Sequence, residues 1–244
     1  MRVLLVNDDG IDSAGLRDVA LWARKKFGNV TVVAPKEQQS GKSHSIEIHE
    51  FIAFEKREYL PGVTGYAVDS TPADCVRFAY IGLCEKYDLV ISGINKGYNI
   101  GEDISYSGTV GAVFEAVLRG AKKCLALSTD HINTEYAPKY LDTVWDYIES
   151  HSLFSHTKLI NVNIPDCTPK GILITRQGEH YYEDSFVYND EGHYRQQAKF
   201  HEHKSDDLTL DSAAVKNGYI SITPLTADRT DLRAYEKFLE VTTK

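Results

Sequence analysis

A chain of 244 residues, 42% hydrophobic and 25% charged, is long enough for one large α/β domain with a small appendage. Its formal net charge of −8 argues against general affinity for nucleic-acid backbones and anionic membranes, so no stable complex with either is expected. The four cysteines have no C-x-x-C or metal-finger spacing, which predicts reduced thiols in a cytoplasmic protein. We identify neither a signal peptide nor an apolar run near the ~20 residues of a membrane helix.

The first 130 residues alternate between short apolar runs and segments with helical spacing. Residues 3–6 and 30–34 are predicted to be buried strands, and residues 16–27 between them a helix. The pattern continues with peripheral strands at 45–54 and 65–68, a helix at 71–84, a core strand at 88–92, a glycine-rich loop at 93–108, a helix at 109–120 and a strand at 124–128. Repeated strand-helix-strand units predict a parallel sheet with helices on both faces.

The second half of the chain is less regular. Its predicted elements are a helix at 138–150, strands at 159–164, 171–175 and 218–223, a hairpin or arm within 177–206, and a final helix at 230–239. The predicted class is therefore α/β, with a parallel sheet flanked by helices on both faces.

Two adjacent aspartates, Asp8 and Asp9, follow the first apolar run and are followed in turn by Gly10. A buried strand that ends here delivers both carboxylates to the carboxyl edge of a parallel sheet, where ligands bind. Two like charges so close repel each other, and neither can be buried without a partner. A divalent cation, which favours hard oxygen ligands, would resolve that conflict. The alternative is a structural turn with an N-cap, because Asp-Gly is common in turns.

Two more loops are predicted at the same edge of the sheet. Residues 37–43 follow the second strand, and residues 92–101 follow the next core strand. Ser40 and Asn95 offer neutral oxygens that can complete a coordination shell begun by the aspartates. A cation held in this way keeps positions open for water and substrate, which suits metal-assisted phosphoryl hydrolysis. Alternatively, Ser40 is only a loop residue, and Asn95 and Asn99 hold left-handed turn conformations.

Ser107, Gly108 and Thr109 stand at the start of a predicted helix. A helix start exposes unpaired N–H groups and the positive end of the helix dipole, so these three residues form a candidate phosphate cradle. The alternative is an ordinary helix N-cap.

Together these segments resemble the SurE (survival protein E) family of metal-dependent 5′-nucleotidases, or nucleoside monophosphate phosphatases. The resemblance spans nearly the whole chain. The residues that carry it are Asn7-Asp8-Asp9-Gly10, Gln39-Ser40-Gly41, Thr71-Pro72-Ala73-Asp74-Cys75-Val76, the glycine-rich stretch from Ser92 to Val110, Asn161-Val162-Asn163-Ile164-Pro165 and the segment 218–225.

The resemblance implies hydrolysis of nucleoside 5′-monophosphates to nucleoside and phosphate. It implies one divalent ion per subunit, Mg²⁺ or Mn²⁺, bound by Asp8, Asp9, Ser40 and Asn95. It also implies a Rossmann-like core in residues 1–130 and a smaller C-terminal part, residues 131–244, that completes this core. The resemblance further implies homodimers or homotetramers in which the C-terminal part exchanges elements between subunits, here the arm at 177–206 and the terminal helix. The phosphate pocket implied by the resemblance is lined by Asn99, Ser107, Gly108 and Thr109.

The chemical role of the two aspartates follows as a hypothesis. The cation would bind a phosphoryl oxygen and a water, while Asn99 and the helix start hold the other phosphoryl oxygens. Asp8 and Asp9 are the candidate catalytic residues. One of them, with Asp9 favoured, would accept a proton from the attacking water or act as the nucleophile.

Other protein classes fit less well. A haloacid-dehalogenase-type phosphatase needs a second acid two residues after the nucleophile, and those positions are Gly10 and Ile11. An NAD-binding enzyme is disfavoured because Gly-x-Gly-x-x-Gly is absent after the first strand. A phosphoreceiver-like, Mg-binding signalling module remains an alternative, although it needs an aspartate where the core strand ends in Ser92. A phosphatase of broader specificity, acting also on short polyphosphate, is the other alternative.

Overall fold

The computed structural model describes residues 1–180, 182–200 and 205–242. Within those ranges, nine strands form one sheet in the order β3-β4-β2-β1-β5-β6-β7-β11-β8, and two further strands form a separate hairpin, β9-β10. The pairs from β4 through β7 are parallel, whereas β3 and β11 each add one antiparallel pair. The predicted α/β class with a mostly parallel sheet is confirmed. In the same ranges, no helix is both long and apolar enough to span a lipid bilayer.

The strands are β1 Arg2–Val6, β2 Asn29–Pro35, β3 Phe54–Leu60, β4 Val63–Val68, β5 Leu89–Lys96, β6 Cys124–Thr129, β7 Leu159–Ile164, β8 Ile172–Ile174, β9 Tyr182–Tyr188, β10 Tyr194–Phe200 and β11 Ile220–Leu225. The helices are α1 Ala14–Phe27, α2 Pro72–Arg77, α3 Gly108–Leu118, α4 Leu141–Ser150, α5 Asp211–Lys216 and α6 Leu232–Thr242. A 3-10 turn, Gly101–Tyr106, precedes α3.

The order in which the chain adds strands to the sheet changes direction at β1. From β1 it proceeds outward through β2 and β4 on one side, and then returns to place β5 on the other side of β1. Loops that follow strands on either side of such a reversal point diverge and leave a crevice at the carboxyl edge, where α/β proteins bind ligands. The loops after β1, β2 and β5 therefore border that crevice.

Each face of the sheet carries its own apolar core. One core packs α1 and α4 against one face, with Leu16, Leu5 and Trp145 among its members. The other packs α2 and α3 against the opposite face, with Leu4 and Val110 among its members. This arrangement follows from strands such as β1 and β6, in which nearly every residue is buried and both faces must be covered.

Local sequence signals set the start of α2. Thr71 caps α2 by accepting a hydrogen bond from the backbone N–H of Asp74, and Pro72 occupies the first helical position. The helix predicted at 71–84 is α-helical only to Arg77 and continues as a π-helical turn, Phe78–Gly82. The hairpin predicted within 177–206 is present as β9 and β10, and residues 181 and 201–204 of that segment lie outside the described residues.

One predicted strand was wrong. Residues 45–53 form no strand, and the antiparallel partner of β4 begins only at Phe54. The Glu47 carboxylate accepts hydrogen bonds from the backbone N–H groups of His49 and Glu50, at 2.6 and 3.2 Å. This local turn competes with extended structure, so the polar-apolar alternation of the segment does not lead to sheet pairing. Helix α5 was not predicted, because six residues are too few to show a helical period.

Candidate functional site

Asp8 lies directly after β1, against the first turn of α3. Its carboxylate accepts a hydrogen bond from the Thr109 hydroxyl, and its side chain is 4% exposed. A Cβ atom at Gly108 would lie 2.9 Å from Cβ of Asp8, so the close approach of this helix to the carboxylate requires glycine. The first strand and the start of α3 therefore meet at Asp8.

Asp9 is half-buried beside the end of β5. Its Oδ2 atom accepts a hydrogen bond of 2.9 Å from the backbone N–H of Lys96. Burial raises the pKa of Asp9, and the backbone and charge of Lys96 oppose the rise. Burial also raises the pKa of Asp8 to about 6, with a smaller contribution from the negative charge of Asp9. Burial therefore destabilises both carboxylates as anions.

The loop after β2 is attached to Asp8 through the backbone. The N–H of Gln39 donates to the Asp8 carbonyl at 2.7 Å, which brings the neighbouring Ser40 to the aspartate. The Ser40 hydroxyl accepts a hydrogen bond of 3.0 Å from the Gln38 amide. Further along, the Ser43 hydroxyl donates to the Ser105 carbonyl at 2.7 Å, which attaches the loop to the turn before α3.

Asn95 reaches the same region from β5. The β5–β6 register shifts between Ser92 and Asn95, and such irregularities re-aim side chains beside binding sites. The amide nitrogen of Asn95 donates to the Gly97 carbonyl at 2.8 Å. This contact fixes the orientation of the amide group and directs its oxygen away from Gly97.

Helix α3 begins at Gly108 with Ser107 as its N-cap. The Ser107 hydroxyl accepts a hydrogen bond of 3.0 Å from the Val110 N–H. The N-cap interpretation of Ser107 is therefore correct. It does not exclude an anion at the helix start, because the positive end of the helix dipole faces the same crevice.

These residues surround a cavity of about 590 Å³, within the usual size range of small-molecule sites. Five predicted site residues line it: Asp8, Ser40, Asn95, Asn99 and Ser107. Asp9, Gly108 and Thr109 are not among the lining residues. Asp9 contacts Lys96, while Gly108 and Thr109 lie behind Asp8. The described ranges contain no group of three or more His, Cys, Asp or Glu side chains arranged for a metal ion.

A buried polar network that we did not predict holds Asn99 in place. The Asn99 N–H donates to Oδ1 of Asn163 at 2.9 Å, and the Asn99 carbonyl accepts from the amides of Asn161 and Asn163 at 2.8 and 2.9 Å. The Asn99 amide donates to the Ser128 hydroxyl at 2.8 Å. The signal in the sequence is the pair of asparagines two positions apart in the otherwise apolar β7, since alternate strand residues share a face.

Asp211 is a second unpredicted contributor. This fully buried carboxylate accepts hydrogen bonds from the N–H groups of Gly101 at 3.0 Å and Gly178 at 2.9 Å. Gly101 has φ +58°, and a Cβ there would collide with the Glu179 carbonyl. Asp211 thus connects the loop after β5 to the segment that leads into the hairpin. Burial raises its pKa, against the effect of these backbone donors.

Comparison with known proteins gives a consistent result. The family model described as Survival protein SurE matches residues 3–184. A protein named 5′-nucleotidase SurE from Thermoanaerobacter sp. (strain X514) is 39% identical over 241 residues, covering 95% of this chain and 94% of its own length. Its namesake from Desulforudis audaxviator is 35% identical over 248 residues, with coverage of 97% and 95%.

A solved structure supports the same grouping. The crystal structure of the SurE protein from Aquifex aeolicus superposes with a TM-score of 0.78 at 35% identity, covering 98% of this chain and all of that one. Both the family model and the curated relatives extend over well more than half of the chain. The chain belongs to the SurE family.

Proposed function

We propose that this chain is a metal-dependent 5′-nucleotidase that hydrolyses nucleoside 5′-monophosphates to nucleoside and phosphate. The observation that carries the proposal is the cavity at the sheet edge, where a buried carboxylate, Asp8, meets the N-terminus of α3. A cation site beside a helix start is suited to a phosphate group. The curated relatives, named 5′-nucleotidases, match almost end to end and support this function over a phosphoreceiver-like module.

The residues present fit a divalent cation. We assign its protein ligands as Asp8, Asp9, Ser40 and Asn95, a set of two carboxylates and two neutral oxygens. Hard oxygen donors of this kind favour Mg²⁺ or Mn²⁺. The raised pKa of Asp8 supports the assignment, because a buried pair of aspartates gains most when a cation neutralises it.

The phosphate is proposed to bind between Asn99 and the start of α3. The helix contributes Ser107, Gly108 and Thr109, whose backbone lies at the positive end of its dipole. Lys96 also lines the cavity and adds a positive charge. A cation held by these residues would supply Lewis-acid chemistry, polarising the phosphoryl group and lowering the pKa of a water. We propose Asp8 as the proton acceptor in place of Asp9, which the sequence favours, because Asp8 lines the cavity.

The test of the function is phosphate release from a panel of nucleoside monophosphates, with Mg²⁺ or Mn²⁺ and with excess chelator. We expect release from nucleotides only in the presence of metal. Phenyl phosphate and short polyphosphate serve as comparison substrates. Equal turnover of all of them would favour the broader phosphatase instead, and no turnover of any would contradict the proposal.

The response of stability to metal is expected to depend on pH. Burial raises the folded-state pKa of Asp8 to about 6 from 3.8, so its protonated form stabilises the metal-free protein at low pH, and this contribution is lost as pH rises through about 6. Metal requires the deprotonated carboxylate. The Mg²⁺-induced increase in Tm should therefore grow between about pH 5 and about pH 7.5. Scanning fluorimetry with and without chelator measures it, and a constant increase would argue against Asp8 as a ligand.

We also propose that the C-terminal part, residues 131–244, completes the core of residues 1–130 and forms a homodimer or homotetramer. Helix α6 supports this, because its apolar side chains are exposed to solvent within one chain. These are Leu232, Tyr235, Phe238, Leu239 and Val241, between 46% and 71% exposed. A second copy that receives α6 would bury them.

A further inference from the structure

The cavity that contains Asp8 has one wall from outside the Rossmann-like core. Asp184 of β9 and Gln196 of β10 line it together with Asp8, Asn95 and Ser107. Both are exposed residues of the hairpin, far along the chain from the loops that carry Asp8, Ser40 and Asn95. The hairpin of this chain therefore borders the same space as the residues proposed to bind metal and phosphate.

The pairing of the hairpin places Asp184 and Gln196 on one face. Gln196 pairs directly with Phe186, and alternate residues of a strand share a face, so Asp184 lies on that face as well. The same face carries an aromatic cluster: the ring centroids of Phe186 and Tyr194 are 6.5 Å apart. Phe186 is 67% exposed and Tyr194 is 69% exposed.

Charge determines which part of a substrate this wall can contact. A phosphate carries negative charge and is repelled by the carboxylate of Asp184, whereas Lys96 and the start of α3, which line the same cavity, attract it. The uncharged remainder of the substrate then points toward the hairpin. Tyr106, next to the phosphate end, also lines the cavity and is 60% exposed, which leaves its ring available for stacking.

Resting on the function proposed above, we infer that the hairpin face bearing Asp184 and Gln196 is the nucleoside-recognition wall of this site. Asp184 accepts hydrogen bonds from the ribose hydroxyls, a common use of an acidic side chain in nucleotide sites. Gln196 offers both a donor and an acceptor to the polar edge of the base. Tyr106 stacks on the base, a contact that tolerates any base because each has a π face.

The chain supplies matched controls for the test. Gln197 neighbours Gln196 in the same strand but lies on the opposite face, where its carbonyl accepts a hydrogen bond from the Ser185 hydroxyl. Asp190 lies in the exposed hairpin turn, and its replacement by alanine removes the same charge as the replacement of Asp184. The four variants are Asp184→Ala, Gln196→Ala, Gln197→Ala and Asp190→Ala.

Steady-state kinetics with Mg²⁺ should distinguish variants on the two faces of the hairpin. For Asp184→Ala, KM for ribonucleoside monophosphates should rise about tenfold, with kcat nearly unchanged. The lost hydrogen bond stabilises the bound substrate and the transition state equally. The preference for ribo- over 2′-deoxyribonucleotides should disappear in the same variant. Gln196→Ala should raise KM about fivefold and flatten the ranking of bases. For phenyl phosphate, which lacks sugar and base, KM should not rise in any of the four variants.

Calorimetric binding of a free nucleoside to the Mg²⁺-loaded protein gives a second readout that needs no turnover. We expect weaker binding in Asp184→Ala and Gln196→Ala, and wild-type binding in both controls. Unchanged nucleoside binding in the first two, or equal losses in Gln197→Ala, would overturn the inference. A wild-type protein that binds nucleosides but releases no phosphate from any ester would instead contradict the proposed function and leave the recognition wall standing.

Discussion

Replacing Asp8 with asparagine is expected to abolish metal-dependent phosphate release while making the metal-free protein more stable. Asparagine keeps the shape of the side chain and can still accept the hydrogen bond from the Thr109 hydroxyl. The substitution removes one of the two proposed carboxylate ligands, and activity should fall at least about a hundredfold. Even the loss of a residue that only hydrogen-bonds to a metal ligand lowers metal affinity or activity about 10–100-fold.

The gain in stability follows from the buried charge. A pKa raised from 3.8 to about 6 corresponds to about 3 kcal/mol of destabilisation at neutral pH, because the folded protein must hold an anion that burial disfavours. Asp8→Asn avoids that cost, so the free energy of unfolding in chelator should increase by about 1–3 kcal/mol. Urea denaturation in chelator measures the increase, and phosphate release with Mg²⁺ measures the activity.

Asp12→Asn is the matched control for this experiment. Asp12 lies four residues further along, is exposed, and pairs with Arg57 instead of facing the cavity. It removes the same formal charge, so it should leave activity close to that of the wild type. If Asp8→Asn retained metal-dependent activity, the assignment of the cation site would be wrong. If it were inactive but less stable in chelator, the account of the buried charge would be wrong.

Replacing Asp211 with alanine is expected to produce the second large effect, on stability and activity together. The change leaves the N–H groups of Gly101 and Gly178 buried without an acceptor, at about 1–3 kcal/mol for each. The loop after β5 carries Asn99 and leads to the start of α3, so its loosening should also lower kcat/KM about tenfold or more. Chemical denaturation and kinetics on the same preparation measure both quantities.

Two further variants of this segment sharpen that result. Asp211→Asn preserves the volume but keeps only one carboxamide oxygen for the N–H groups of Gly101, Gly178 and Ser212, so its stability should lie between those of the wild type and Asp211→Ala. Asp207→Ala removes an exposed carboxylate four residues earlier, which pairs with Arg176 at 3.1 Å, and should change neither property much. A wild-type unfolding free energy in Asp211→Ala would show that the buried carboxylate does not hold the loop.

Much of the site was visible in the sequence, for a local physical reason. Short runs of branched apolar residues predict strands buried on both faces, and polar segments directly after them predict loops at the carboxyl edge. In a parallel sheet those loops lie at one edge whatever the details of packing. Asp8, Ser40 and Asn95 could therefore be assigned to one site before any fold was known, and all three line one cavity.

The tertiary structure decided what depends on contacts between distant segments. Residues 45–53 alternate like a strand but form a local turn at Glu47, whose carboxylate accepts hydrogen bonds from the backbone N–H groups of His49 and Glu50. Asp211 looks like any helix-start aspartate in the sequence, yet it accepts hydrogen bonds from glycines 110 and 33 positions away. The sequence by itself determined which groups stand at the edge of the sheet. The packing of the hairpin and of α5 against the core determined which of these groups lie in the same cavity. Contacts between distant segments produce no periodic pattern in the sequence, so they could not be predicted from it.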